Sequence, residues 1–539
     1  MKEIYLAWLK NCKEEKELYN ELISIQNQAE EISDRFYREL AFGTGGLRGI
    51  LGAGTNRMNI FTVGKATFGL ADYLLKNYKN PSVAIAYDSR NMSKEFARLS
   101  AEILSFKGIK AYLFSELTPT PTLSFAVRKL KASAGIVITA SHNPKEYNGY
   151  KVYNEHGCQI TDTAAKEITL EIEKQAYFQE FTPNQALIEE LGDDLKSAFL
   201  DELERLSLTK VKKEYIPRIV YTPLHGTGRK YVSGILERMS VAFSFVKEQE
   251  LPDGEFTTCP YPNPEEKEAL TLALEQAKKE NADMVLATDP DADRVGVAVK
   301  EKDGTYRRLT GNETGVLLMN YMLERKAEQG LLGKNPTVIK TIVTTDMAFS
   351  IAKKYGASVK EVLTGFKYIG EEMDNTENFV MGLEESYGYL VGKHARDKDA
   401  ISAVQLVVEA CAYYKEQGKT LAEVLDGLYE EHGYYATDLQ SIKYTGEAGM
   451  REMQAVMERV RNNPIEEILG EKVEFTDFSL GVNGLPKSNV LRFRNGKINV
   501  ILRPSGTEPK LKIYYQLKTK KERAVKELEE TVLEIKRRL

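Results

Sequence analysis

The sequence predicts an α/β fold: three βαβ-type domains with mixed, largely parallel sheets, followed by a smaller α+β domain at the C-terminus. Three observations lead there. Short β-branched apolar runs alternate with amphipathic helical stretches, the pattern of parallel strands joined by crossover helices. That alternation restarts twice, after a polar lysine-rich stretch near 208–217 and after the turn-rich EKDGTYRRLTGNE at 301–313. The final part changes character: RFRNGKINVILRPSGTEPKLKIYYQL (492–517) carries an Asn-Gly turn between apolar runs and reads as an antiparallel meander.

Taken in order, residues 1–40 read as helices rich in Glu and Lys, followed by the glycine-dense GTGGLRGILGAGTNR (43–57). Strands are expected at 83–90, 111–116 and 134–139, with helices at 94–107 and 123–132. The second block offers strands at 219–222, 284–288 and 295–299 and a helix at 265–280; the third offers strands at 337–345, 358–364 and 379–383. A charged helix closes the chain at 520–538. The expected units are 1–208, 209–312, 313–435 and 436–539. The three α/β blocks share an order of elements and look like divergent copies. A chain of 539 residues fits three to four domains at about 100–200 residues each.

Composition narrows the class. Lys and Arg total 74 against 79 Asp and Glu, so no broad basic face is available for nucleic acid, and phosphate recognition has to come from local groups. The four cysteines, at 12, 158, 259 and 411, form no CxxC and have no histidine at ligand spacing, which suits a reducing cytosol. The start reads as a charged amphipathic helix rather than a signal peptide, and no apolar run reaches the ~18 residues of a membrane span. A cytoplasmic protein with no nucleic-acid or membrane partner is expected.

Three unusual loops each follow an apolar strand: TASHNP (139–144), DPDADR (289–294) and EESYG (384–388). In open α/β sheets ligands bind beyond the carboxyl ends of strands, so three such loops can share one central cleft. DPDADR sets Asp289, Asp291 and Asp293 at alternate positions, oxygen donors suited to magnesium. An EF-hand fails, because Arg294 and Lys300 stand where that loop needs Gly and Glu; a solvated acidic turn is the plain alternative. Ser141 and His142 lie on a strand-to-loop corner that, by itself, reads as an ordinary turn. Near a magnesium site such a serine can carry a phosphoryl group. RPSGTEPK (503–510) joins Arg503, Ser505, Gly506 and Thr507 in a turn whose arginine and close backbone suit a phosphate. Glu384 and Ser386 offer partners for sugar hydroxyls. Neither VGKAT (63–67) nor GTGGLRG meets a nucleotide-binding pattern, the second having Arg48 in place of its last glycine.

Together GTGGLRG, TPTP (118–121), TASHNP with NGYKVY (148–153), DPDADR, TGFKYIG (364–370), GLEESYG (382–388) and RPSGTEPK closely resemble, in order and from 43 to 510, the α-D-phosphohexomutase superfamily of phosphoglucomutases and phosphomannomutases. The resemblance implies four domains around a deep cleft and a magnesium-dependent mutase. Ser141 would carry the transferred phosphoryl group, and Asp289, Asp291 and Asp293 would bind the ion with it. Glu384 and Ser386 would grip the sugar, with Gly365 from TGFKYIG also facing substrate. Arg503, Ser505, Gly506 and Thr507 would hold the phosphate that is not reacting. Arg48, Lys151 and Arg294 match basic residues near the reacting group, and Lys398 resembles a further lysine of glucose-specific members. Lys151, His142 and Lys398 are the candidates for proton transfer. Glucose 1,6-bisphosphate is the implied intermediate and activator, and sugar phosphates are the implied partners of a monomer or weak dimer. GLEESYG, without a histidine after Ser-Gly, resembles glucose-type loops; pentose and mannose phosphates are the alternatives, and a non-catalytic phosphosugar-binding relative is the reading from another class.

Overall fold

The computed structural model describes residues 1–43, 45–444, 446–482, 484–504 and 510–539. Ser505, Gly506 and Thr507, expected in the anion loop, lie outside the described residues.

Three mixed sheets repeat one four-strand unit. In the first, Ser82–Tyr87, Lys110–Phe114 and Ala134–Ile138 run parallel, and Tyr147–Asn154 returns antiparallel beside Ala134–Ile138. In the second, Ile219–Thr222, Phe243–Phe245 and Met284–Thr288 are parallel and Val295–Lys300 antiparallel. In the third, Thr337–Thr341, Ser358–Val362 and Phe379–Glu384 are parallel and Gly388–Val391 antiparallel. The spatial order is the same each time: second, first, third, fourth. The turn from third to fourth strand is therefore the equivalent loop of each domain, and TASHNP, DPDADR and EESYG occupy it. Each of these turns holds one non-glycine residue in the left-handed region: Ser141 (φ 53), Ala292 (φ 51) and Tyr387 (φ 63). Such conformations cost of order 1–3 kcal/mol and persist only where surrounding contacts impose them.

The strands read as unbroken apolar runs because both faces are covered by helices; every residue of Ala134–Ile138 and Met284–Thr288 is buried. Some elements stop sooner than the sequence suggests. The strand expected over 83–90 ends at Tyr87, because Asp88 turns the chain by accepting from Arg90 N (3.0 Å) and Ser93 Oγ (2.7 Å). The strand expected over 337–345 ends at Thr341, where Thr344 N bonds back to Thr341 O at 3.1 Å. The helix expected from 265 starts at Thr271, after a 3₁₀ turn over Glu268–Leu270.

The last domain is a fully antiparallel sheet, ordered Tyr434–Lys443, Lys510–Thr519, Ile498–Pro504, Leu491–Arg494, Glu474–Asp477. The Asn-Gly signal is a tight turn: Asn495 Oδ1 accepts from Lys497 N and Ile498 N, both at 2.8 Å. This domain meets the third through an apolar cluster, Ile342, Val343 and Leu363 with Phe478, Val490, Ile501 and Tyr514, and through charge. Lys340, with no exposed side-chain surface, pairs with Asp346 (3.1 Å) and Glu361 (2.9 Å). From the last domain Arg492 reaches Glu361 (3.0 Å) and Arg494 reaches Asp346 (2.8 Å).

Candidate active site

The serine loop is held from behind. Asp88 and Arg90 are wholly buried and paired at 3.2 Å. Asp88 accepts from Thr139 Oγ1 at 2.6 Å, and Thr139 Oγ1 in turn accepts from Ser141 N at 2.8 Å. Arg90 spreads its guanidinium over the loop's carbonyls, donating to those of Ser141, Asn143, Pro144 (2.8 Å) and Tyr147 (3.2 Å). This lattice holds Ser141 in its left-handed conformation and aims Oγ across the domain boundary. Ser141 Oγ donates to Asp289 Oδ2 at 2.7 Å, with His142 Nδ1 3.3 Å away. Burial, then the cations Arg294 and Arg48, lower His142 well below its ordinary value, so its imidazole is neutral. Arg48 approaches the loop on the strand paired with Tyr147–Asn154 and donates to Asn143 Oδ1 at 3.3 Å.

Opposite stand Asp289, Asp291 and Asp293, all buried, each offering one oxygen within a 4.8 Å cluster. The turn is folded by Asp289 Oδ1, which accepts from Asp293 N (3.1 Å) and Arg294 N (3.0 Å). Lys151 meets Asp291 at 2.8 Å and Asp293 at 3.6 Å; Lys398, from the third domain, meets Asp293 at 3.1 Å. Burial and the neighbouring Asp291 and Asp293 charges push Asp289 well above the carboxylate range. Burial opposes ionisation of Asp291 too, yet Lys151 and the hydrogen bonds around it hold that carboxyl low. Lys398 is likewise depressed by burial but raised overall by Asp293, Asp397 and Glu384, so it is an ammonium ion.

Two buried oxygens, Asp291 Oδ1 and Asp293 Oδ1, have no hydrogen-bond partner among the described residues. Unpaired buried carboxylate oxygens are costly, and a hard divalent cation among these three carboxylates would satisfy them. The donor set fits magnesium.

Glu384 and Ser386, expected to grip the sugar, lie on the adjoining edge. Glu384 is buried opposite Gly388, and its charge acts on both Lys398 and Arg294. Ser386 is half-buried in the turn itself. Arg294 joins second and third domains, pairing with Glu265 at 2.6 Å and bridging to Gly388. Gly365 (φ 122) caps the helix Phe366–Asp374, whose Phe366 ring lies 5.7 Å from Lys398 Nζ. Arg503 lies on the last domain's strand directly across from Lys512, and its charge acts on Tyr368 and Tyr514.

Four residues escaped the sequence reading. Asp88 and Arg90 sit in what reads as the tail of a strand. Thr120, from TPTP, donates its hydroxyl to Asp291 Oδ2 and its N–H to Asp291 O, at 2.8 and 2.9 Å. Lys512 is lowered by burial and by Arg503 beside it, and feels Glu385, Glu265 and Arg294 as well; a lone lysine on an alternating strand gave no sign of this.

Models of the phosphoglucomutase/phosphomannomutase family match its α/β/α domains I, II and III over residues 39–178, 197–304 and 310–432, and its C-terminal domain over 445–535. The chain is 39% identical over 502 residues to a phosphoglucomutase of Staphylococcus haemolyticus strain JCSC1435, covering 89% of this chain and 91% of the relative. To one of Staphylococcus aureus strain bovine RF122 / ET3-1 it is 36% identical over 519 residues, covering 92% of each. Among solved structures, the open form of pp63/parafusin, a phosphoglucomutase from Paramecium, shares the fold with a TM-score of 0.71 at 19% identity, over 93% of this chain and 94% of that one. With every domain of the family matched in order, the chain belongs to the phosphoglucomutase/phosphomannomutase family.

Proposed function

We propose that this mutase interconverts glucose 1-phosphate and glucose 6-phosphate through a phosphorylated Ser141. The observation that carries the reading is the Ser141 Oγ bond to Asp289 Oδ2 at 2.7 Å, made across two domains inside a ring of buried carboxylates. The choice of glucose rests on relatives named phosphoglucomutase and on a sugar loop without histidine. We assign the four units 1–208, 209–312, 313–435 and 436–539 one loop each.

Asp289, Asp291 and Asp293, together with an oxygen on phosphorylated Ser141, would hold magnesium, which when bound draws charge from the transferred phosphoryl group. Lys151, Lys398, Arg48 and Arg294 add fixed positive charge around the same oxygens, the kind of preorganised stabilisation that phosphoryl transfer chiefly requires. The sugar's free hydroxyl attacks phosphorus as the bond to Ser141 Oγ breaks; its proton is taken up and returned to Oγ by a neighbouring group, for which His142, Lys151 and Lys398 are the candidates. Glu384 and Ser386 fix the sugar ring, with Gly365 leaving room beside them. Arg503, with Ser505, Gly506 and Thr507, holds the second phosphate. The product of this half-reaction is glucose 1,6-bisphosphate. It turns end for end, returns its other phosphoryl group to Ser141 and leaves as the isomer. The far end must accept either phosphate, which favours a charge-based grip over a shaped pocket. We place the enzyme in the cytoplasm, as a monomer or weak dimer acting on small sugar phosphates; its four cysteines are buried free thiols, as a reducing compartment allows. No helix among the described residues is long and apolar enough to cross a membrane.

The test is isomerisation of glucose, ribose and mannose 1-phosphates with magnesium and a trace of glucose 1,6-bisphosphate. The expected result is a preference for glucose by kcat/KM. A preference for ribose or mannose overturns the substrate, and no isomerisation of any of them overturns the reading as a mutase.

A further inference from the structure

We propose that Tyr153 is a positioning residue: through Asp397 it holds the Lys398 ammonium group on the aspartate loop, in a role that rests on the phosphoryl transfer proposed above. Tyr153 lies two residues beyond Lys151 on the strand Tyr147–Asn154, so both side chains leave the same face of the sheet. Lys151 goes directly to Asp291 and Asp293. Tyr153 crosses instead to the third domain and donates its hydroxyl to Asp397 Oδ2 at 2.7 Å. Its ring is wholly buried, and Asp397 is only 4% exposed. Burial and the Asp397 charge raise the phenol well above its ordinary value, so it stays a donor.

The two oxygens of Asp397 face three donors. Oδ1 accepts the backbone N–H of Lys398 at 2.8 Å, and Tyr153 occupies Oδ2. Lys398 Nζ lies 3.5 Å from Asp397 Oδ1 but 3.1 Å from Asp293 Oδ2. The ammonium group therefore stands between two carboxylates, and the one it serves depends on how well Asp397 is satisfied by others. Without the phenol hydroxyl, a buried carboxylate oxygen loses its donor. The ammonium beside it carries three N–H groups and is drawn across, away from the aspartate loop.

Little else in the lysine's course is free to change. Its stem runs over Gly388, where a Cβ would fall 2.2 Å from Lys398 Cδ. Arg396 N donates to Ser124 Oγ of the first domain at 2.8 Å, Asp399 N to Tyr389 O at 2.7 Å, and Ala400 N to Ala292 O of the aspartate loop at 3.3 Å. With the backbone pinned on both sides, the swing of Nζ between Asp293 and Asp397 is what the tyrosine decides. The boundary between the first and third domains does not depend on Tyr153 as a staple, since Lys367 pairs with Asp162 across it at 3.0 Å and Cys158 Sγ donates to Lys367 O at 3.3 Å. An ammonium group that stabilises charge on the transferred phosphoryl oxygens affects the rate of transfer more than the binding of sugar.

Full-length wild type, Tyr153→Phe, Lys398→Met and their double variant are assayed with magnesium, glucose 1-phosphate and a trace of glucose 1,6-bisphosphate. Tyr153→Phe should lower kcat about tenfold, the weight of one hydrogen bond to a charged group, with KM within about twofold of wild type. Added to Lys398→Met, it should lower kcat no further. Asp162→Asn, which removes the charge of the other pair across the boundary, should leave kcat alone. Unchanged kcat in Tyr153→Phe, the same loss again on top of Lys398→Met, or an equal loss in Asp162→Asn overturns the positioning role. Crystals of wild type and Tyr153→Phe in one form read the placement without activity. Nζ should lie nearer Asp397 than Asp293 in the variant, and an unmoved Nζ overturns the role even where the variant is slow. A wild type that isomerises nothing defeats the mutase reading instead, and the crystal comparison still decides what holds the lysine.

Discussion

The two ends of the site are built on opposite plans. At the serine end, loops of three domains lock together through buried, directional contacts: Ser141 to Asp289 at 2.7 Å, Thr120 and Lys151 to Asp291 at 2.8 Å, and Lys398 to Asp293 at 3.1 Å. At the proposed phosphate end, Arg503 and Lys512 lie on a separate antiparallel sheet, joined to the third domain by the charges of Lys340, Asp346, Glu361, Arg492 and Arg494 and by an apolar cluster of Ile342, Val343 and Leu363 with Phe478, Val490, Ile501 and Tyr514. The contrast matches two tasks. A group that must develop charge on fixed oxygens benefits from donors that need not reorganise. On the proposed mechanism, a group that must grasp either end of a turning bisphosphate benefits from charge carried on a separate domain.

The hardest break is at the serine. Ser141→Ala should abolish turnover while leaving circular dichroism and thermal unfolding close to wild type, since Oγ makes a single contact of consequence. Next comes the clamp behind it. Arg90→Met leaves buried Asp88 unpaired, so denaturant unfolding should show a loss of about 3–5 kcal/mol, and kcat of the folded fraction should fall with it. The double variant Asp88→Asn with Arg90→Met should recover stability but not kcat; recovery of both would reduce Arg90 to a structural role. At the far end Arg503→Ala should lower kcat/KM about a hundredfold, roughly 3 kcal/mol, without preventing Ser141 from carrying phosphate. An unchanged kcat/KM would defeat the assignment of that end.

The smallest effect is one of pH. Burial would raise Glu361, but Lys340, Arg492 and Arg494 hold its carboxyl down to about 2, against an ordinary 4.5. A depressed carboxyl contributes stability that is complete above its unfolded value and is lost as pH falls through the folded one. The attachment of the last domain should therefore be insensitive to this group from neutral pH to about 4.5, then lose up to about 3 kcal/mol by pH 2. Urea titrations of wild type and Glu361→Gln check it: the variant should be weaker at neutral pH and flatter across the acid window.

The same contrast explains what the sequence made legible. The three aspartates stand out because their chemistry is contiguous on one short turn after an apolar strand, while Ser141 and His142 read as an ordinary turn until set beside them. Three strands of each four-strand unit follow from β-branched runs and the polar breaks between them, whereas Tyr147–Asn154, Phe243–Phe245 and Gly388–Val391, less uniformly apolar or very short, do not. Asp88 and Arg90 stayed hidden because DSR continues an apolar strand, and their partners at 139–147 come near only when strands 82–87 and 134–138 pair. Thr120 lies in TPTP, a string that carries no sign of its partner Asp291, 171 residues on. Lys512 was invisible because only antiparallel register sets it beside Arg503.

The account's central claim is that the migrating phosphate rests on Ser141. Wild-type enzyme incubated with magnesium and glucose 1,6-bisphosphate labelled in its phosphates, then quenched and digested, tests it directly. The label should map to the peptide containing Ser141 and chase quantitatively into glucose monophosphates when unlabelled glucose 1-phosphate is added. Label on any other residue, or turnover with no labelled protein at any time, would contradict it.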